Sequence, residues 1–254
     1  MSPIFSRVGF NRGIGKPVKR TQRRLLKKYF QFTSPGTLDL ASIPQVQSVD
    51  YFSITAGSGG SAGQPGISYS SNGGQGGAGG SSGFVSVLLN QTGSSPVPIS
   101  VGSNYPTPIS GPNPGPSGTL LTIPQPVRDV FSDYTITAYP KGTDGSPPGD
   151  GFAGKGGIGG AGGVYFSSNG SLPAQNLPSI PTTSGTTGGT GYTVTSAGGN
   201  AFRYGGTGGA GGTGYGAGGG GGGGGAEYDG NTSGGAPGGP GSPGLIVVKV
   251  TYLE

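Results

Sequence analysis

The chain has 254 residues, of which 62 are Gly and 23 are Pro, about one residue in three and outside the ordinary globular range. It contains no Cys and no His, which removes disulfides, thiolate metal sites, the Ser-His dyad and the commonest general base, and so excludes most enzyme classes. The net charge of +5 conceals an asymmetry: residues 1–28 hold nine Lys or Arg and no acid, whereas residues 29–254 hold five bases and nine acids, which describes an interaction tail on a weakly acidic body.

From the N-terminus, the first element is a basic arm, residues 1–32. Its cations are Arg7, Arg12, Lys16, Lys19, Arg20, Arg23, Arg24, Lys27 and Lys28, joined near the end by Leu25, Leu26, Tyr29 and Phe30. Like charges without acids repel, so the arm is expected to be extended alone, or to form a short helix over Arg20–Phe30 against a partner. Three readings stand. The arm docks on an acidic groove of a neighbouring protein, it contacts the phosphates of nucleic acid, or it is a solvated tail. The apolar residues interleaved with the charge favour docking.

The body, residues 33–254, is built from internal repeats at about 36–117 and 118–179, with a shorter copy at 180–254. The octet Gly-Gly-x-Gly-Gly-Ala-Gly-Gly occurs at Gly73–Gly80, Gly156–Gly163 and Gly205–Gly212. The first two octets each lie 23 residues after an Asp-Tyr pair, Asp50-Tyr51 and Asp133-Tyr134. Tyr51–Thr55, Phe84–Leu89, Val97–Val101, Tyr134–Tyr139, Gly163–Phe166 and Leu245–Tyr252 are β-branched or aromatic, and they predict strands. Tyr192–Ser196 predicts a further short β segment. Tyr105–Ser117 and Thr143–Gly149 predict loops, and helix has almost no place after residue 30. The longest apolar stretch, Leu245–Val248, is stopped by Lys249, so no membrane span is expected.

Gly-Gly-x has a period of three, that of a left-handed polyproline II-type helix. Two bare faces in three let such helices pack closely and exchange backbone hydrogen bonds. A flexible linker is the bland alternative, and three in-phase octets inside strand-bearing modules favour order. The fold class expected is therefore all-β: short strands with packed polyglycine/polyproline II-type helices, preceded by the basic arm.

The run Ile43–Val49, a β segment, glycine triplets and a closing apolar strand resemble the glycine-rich domains of bacteriophage tail fibre, tail-tip adhesin and minor tail proteins. The resemblance covers about residues 30–254 and leaves out the arm. It implies packed polyglycine helices, residence in a virion, and exposure at the end of an appendage. It also implies an oligomeric setting, other virion proteins as partners of the arm, and a host glycan or protein at the displayed end. An internal or vertex capsid component, its arm on packaged nucleic acid, is the alternative.

Catalysis and cofactors are not expected. Asp129/Asp133 and Glu227/Asp229 are close acid pairs, but no feature marks a pocket, and they read as turn or strand-edge acids. Asp144–Asp150 lacks the alternating acids of a calcium loop. Gly218–Gly225 is not followed by the Lys-Ser/Thr of a phosphate loop. Tyr204, Tyr215 and Tyr228 stand among glycines and admit two roles, stacking on a receptor sugar or shielding the glycine segments, the second being the more economical.

Overall fold

The protein's structure, a computed structural model, describes residues 23–67, 73–83, 85–91, 97–99, 123, 125–146, 154–169, 180, 182–195 and 202–254. Its regular structure is almost all antiparallel strand. In chain order come β1 Leu25–Phe32, β2 Gly36–Leu38, β3 Val46–Ile54, β4 Val85–Gln91, β5 Val97–Ile99, the helix α1 Gln125–Val130, β6 Tyr134–Ala138 and β7 Val164–Ser168. The short strands β8 Val194–Thr195, β9 Phe202–Arg203, β10 Glu227–Tyr228 and β11 Asn231–Thr232 precede the closing β12 Leu245–Leu253. The protein is all-β, as its β-branched alternation implies.

The main sheet has the order β1-β12-β3-β4. The expected helix over Arg20–Phe30 is corrected here: Leu25–Phe32 is an edge strand, paired in register from Leu25↔Leu253 to Phe32↔Ile246. Tyr29 and Phe30, adjacent in sequence, join cores on opposite faces of the sheet. That is the period of two that a strand provides and a helix does not. The last part of the arm is thus structurally part of the body.

Each face of the sheet is covered. On one, Tyr29, Phe52, Ile54, Leu245 and Val247 meet Phe131, Tyr134, Ile136, Val164 and Phe166. The rings meet edge to face, with centroids 4.9 Å apart for Phe52–Phe166 and 5.2 Å for Tyr29–Tyr134, an arrangement favoured by the ring quadrupoles. On the other, Val49, Val248 and Val250 meet Leu38, Leu40 and Ile43. Helix α1 corrects the expectation of no helix after residue 30. Its Pro126 sits in the first turn, where the missing N–H has no intrahelical acceptor to lose, and Val127 and Phe131 are driven into the core.

The strands lead into glycine runs. Between β3 and β4 lie runs 56–67 and 73–83, and between β6 and β7 lie runs 139–146 and 154–163. Runs 182–192, 204–214, 216–226 and 233–244 follow. They are held by backbone hydrogen bonds that recur every third residue: the amides of Gly57, Gly60, Gly63 and Gly66 donate to the carbonyls of Ser242, Gly239, Ala236 and Ser233. Residues 143–146, expected as loop, belong to this network through Thr143 and Ser146, whose carbonyls accept from Ala210 and Thr207.

Run 216–226 is the axis. Its amides donate at 2.8–3.0 Å to 56–67, 154–163 and 182–192, as in Gly219 to Ser58, Gly218 to Ala161 and Gly220 to Thr186. Its carbonyls accept at 2.7–2.9 Å from 73–83, 204–214 and 233–244, as in Gly80 to Gly219, Gly212 to Gly218 and Gly239 to Gly220. Each of Gly218–Gly225 therefore has both its donor and its acceptor satisfied with no side chain involved. The surrounding runs bond to one another in a closed ring, and 139–146 lies outside it against 154–163 and 204–214. A run packed on every side has no room for a Cβ on any residue, which is why this segment is continuous glycine. At Tyr215 the chain reverses between Gly214 (φ +99°) and Gly216 (φ +73°), conformations that glycine adopts without strain.

Candidate functional site

The candidate residues lie at two ends of the molecule. β12 leaves the glycine bundle after Gly244 and runs away from it, so its partner β1 begins at the end of the sheet farthest from the bundle. There the Arg24 amide donates to the Glu254 carbonyl at 2.9 Å and the Glu254 amide to the Arg24 carbonyl at 3.0 Å. Arg23, Arg24 and Lys28 are exposed, and Leu25 is 62% exposed. Arg7, Arg12, Lys16, Lys19 and Arg20 lie outside the described residues.

The other arm residues are used inside the fold. Tyr29, 5% exposed, donates its hydroxyl to the Asp133 carboxylate, and Lys27 Nζ lies 3.0 Å from the same Oδ2. Phe30 packs on the second core, with Lys28 Nζ 5.2 Å from its ring centroid, and Leu26 is half-buried. Lys249 Nζ stands 3.5 Å from Asp50 Oδ2 and donates to the Val130 carbonyl at 2.9 Å. Burial pushes the Asp133 carboxyl up, but the hydrogen bonds from Tyr29 and Lys27 and the charges of Lys27 and Lys249 outweigh it and hold it below the usual value. Burial first, and then the bond to Asp133, push the Tyr29 phenol far above its ordinary range. Burial and the Asp133 charge do the same to Tyr134.

At the opposite end of the bundle, β8 pairs with β9 and β10 with β11. The second pair turns through Asp229 (φ 50°) and Gly230 (φ 75°), the Asp-Gly signature of a tight hairpin. Tyr192 and Tyr204 are 60% and 56% exposed, and Ile67 is also exposed. The backbone brings them together: Tyr192 donates to Gly234 at 3.3 Å, Gly205 to Tyr192 at 3.2 Å, Gly66 to Ser233 at 3.0 Å, and Ser233 Oγ to the Tyr192 carbonyl at 2.7 Å. The Arg203 guanidinium lies 5.2 Å from the Tyr228 ring centroid, a cation–π distance.

Of the three tyrosines singled out from the sequence, Tyr204 and Tyr228 belong to this end and Tyr215 does not. Tyr215 is 3% exposed in the first core, exchanging backbone hydrogen bonds with Val164, so it is a core residue rather than a surface contact. Burial also pushes its phenol up. Sequence reasoning missed Ile67, Tyr192 and Arg203 as members of this cluster. Their signal was position, since Ile67 and Tyr192 close glycine runs as Tyr204 opens one.

The acid pairs have separate structural partners. Asp129 accepts from Gln125 Nε2 at 2.8 Å, and Glu227, buried, accepts from the Gly230 amide at 3.2 Å. Asp144 accepts from the Gly159 amide at 2.9 Å and from Lys141, which together hold its carboxyl below the usual range; Asp150 lies outside the described residues. Among the described residues no cluster of three or more His, Cys, Asp or Glu could hold a metal. Nor is any helix there long and apolar enough to cross a membrane.

No protein-family model, curated protein or solved structure matches this chain.

Proposed function

We propose that this protein is a non-enzymatic structural component of a bacteriophage virion, a displayed spike, fibre or minor tail piece. Its body is a bundle of polyglycine/polyproline II-type helices, its basic end attaches it to the particle among several copies, and its far end meets a host glycan or protein. The single observation that carries the reading is the two-ended layout, with the cations at one end of the sheet and the exposed Ile67, Tyr192 and Tyr204 at the far end of the bundle. Hydrogen bonds with a step of three residues suit a helix of three residues per turn. At about 3.1 Å per residue, runs of this length add roughly 30 Å to roughly 30 Å of sheet. A rod of that form carries a contact surface away from its anchor without a large side-chain core.

Electron cryo-microscopy of purified particles tests this. The expected result is an outward rod of this length with its sheet end at the particle surface. Purified particles that lack the chain overturn it.

The internal or vertex reading, with the arm on nucleic acid, gains from one observation. The apolar arm residues that would dock on a protein are already spent on the chain's own cores.

A further inference from the structure

We infer that the arm end of the molecule binds the phosphate backbone of nucleic acid rather than an apolar groove on a protein. Stable protein interfaces are centred on buried apolar and aromatic anchors, with charge relegated to the rim. In this chain Tyr29 is 5% exposed and Phe30 packs beneath Lys28, so the aromatic anchors are unavailable; only Leu25 of the four apolar arm residues is fully exposed. The charge is sorted in the same way. Lys27 is paired with Asp133 and Lys249 with Asp50, so those cations are neutralised within the body. Residues 1–24 retain Arg7, Arg12, Lys16, Lys19, Arg20, Arg23 and Arg24 with no acid among them, and Glu254 beside Arg24 offsets little of that charge. What remains is a dense cationic strand-end with little to bury, which matches a polyanion.

The inference rests on the two-ended virion reading only for where the nucleic acid lies. Binding itself is a property of the isolated chain, so its failure leaves the displayed rod untouched.

The test is fluorescence anisotropy of the full chain with a labelled DNA duplex of about 30 base pairs, titrated between about 50 and 200 mM NaCl. With five to seven phosphates contacted, the log–log slope of affinity against salt is expected at about −4 to −6, near −0.9 per phosphate. Arg20→Ser/Arg23→Ser/Arg24→Ser should flatten that slope by about 2 to 3, the corresponding Lys triple should keep it, and Leu25→Ser should leave it unchanged. A slope shallower than about −2, or a Ser triple that binds like the parent, overturns the inference. So does displacement of the DNA by poly-glutamate of equal charge, which would make the partner an acidic protein surface.

Discussion

The carbonyl oxygen of Gly209 stands 1.7 Å from the place a Cβ on Gly220 would occupy. The same holds along the axis: a Cβ on Gly221 would lie 2.0 Å from the Gly77 oxygen, and one on Gly223 would lie 1.7 Å from the Gly206 oxygen. These obstacles are backbone atoms already committed to hydrogen bonds, so no rotamer change relieves them. Gly220→Ala is expected to destabilise the protein by about 3 kcal/mol or more, at the upper end for overpacking. Gly234→Ala, whose Cβ would make ordinary contact with Tyr192 at 3.5 Å, should stay within about 0.5 kcal/mol. Denaturant titration of the two variants separates them, and equal midpoints would contradict the packing described.

Amide exchange should carry the same geometry as a rhythm. Gly74, Gly77 and Gly80 donate to the axial run, whereas Gly76 and Gly79 make no backbone bond as donors to the described residues. Protection along 73–83 is therefore expected at every third residue, with continuous protection over Gly218–Gly225, where every amide is bonded. Uniformly fast exchange through both runs would mean that the glycine segments are linkers.

Much of this was legible in the sequence, and the failures share a cause. β3, β6, β7 and β12 announce themselves by β-branched alternation, and two of them are partners of nearby residues. β1 was hidden because its partner, β12, lies at the opposite end of the chain, and a Lys-rich segment with paired Leu and aromatic residues fits an amphipathic helix equally well until that partner is known. β8 to β11 are two-residue strands, too short to show any period. The octets pointed to ordered glycine, but nothing local in Gly218–Gly225 distinguishes an axis from a spacer; that role exists only through the runs around it. Tyr215 and Tyr204 are alike in composition of context, and only the reversal at Gly214 and Gly216 sends the first inward.

Asp133 latches β1 to the body, and the latch has a definite pH sign. Its carboxyl is held below the usual value in the fold, so its contribution is fully present above the unfolded value and is lost as pH falls through the folded one. Stability at the β1 edge should thus be flat from neutral pH down to about 4 and decline below it. Asp133→Asn is expected to cost about 1–2 kcal/mol at neutral pH, less than a fully buried pair because Lys27 keeps solvent contact. It should also abolish most of the acid dependence. Trypsin cutting after Lys27 and Lys28 reads the latch directly, and the variant should be cut faster there at neutral pH. Equal cutting rates in the two proteins would remove Asp133 from that role.

Tyr204 and Tyr215 offer the sharpest separation of display from packing. Tyr215 fills a core shared with Val164, Phe166 and Ile54, and truncating it leaves a cavity under the turn that starts the axial run. Tyr215→Ala should destabilise by about 3–5 kcal/mol, the range for a large buried aromatic. Tyr204 is more than half exposed and Tyr192 beside it more so, so Tyr192→Ser/Tyr204→Ser should change stability by no more than about 1 kcal/mol. If the far end meets the host surface, particles carrying this double variant should assemble normally and adsorb less well, because the exposed rings supply the apolar area of the contact. Thermal unfolding of the purified chain fixes the first half of that statement, and an adsorption assay with assembled particles fixes the second. Normal adsorption by the double variant, with its fold intact, would take the tyrosines out of the contact and leave them as shields on the ends of the glycine runs.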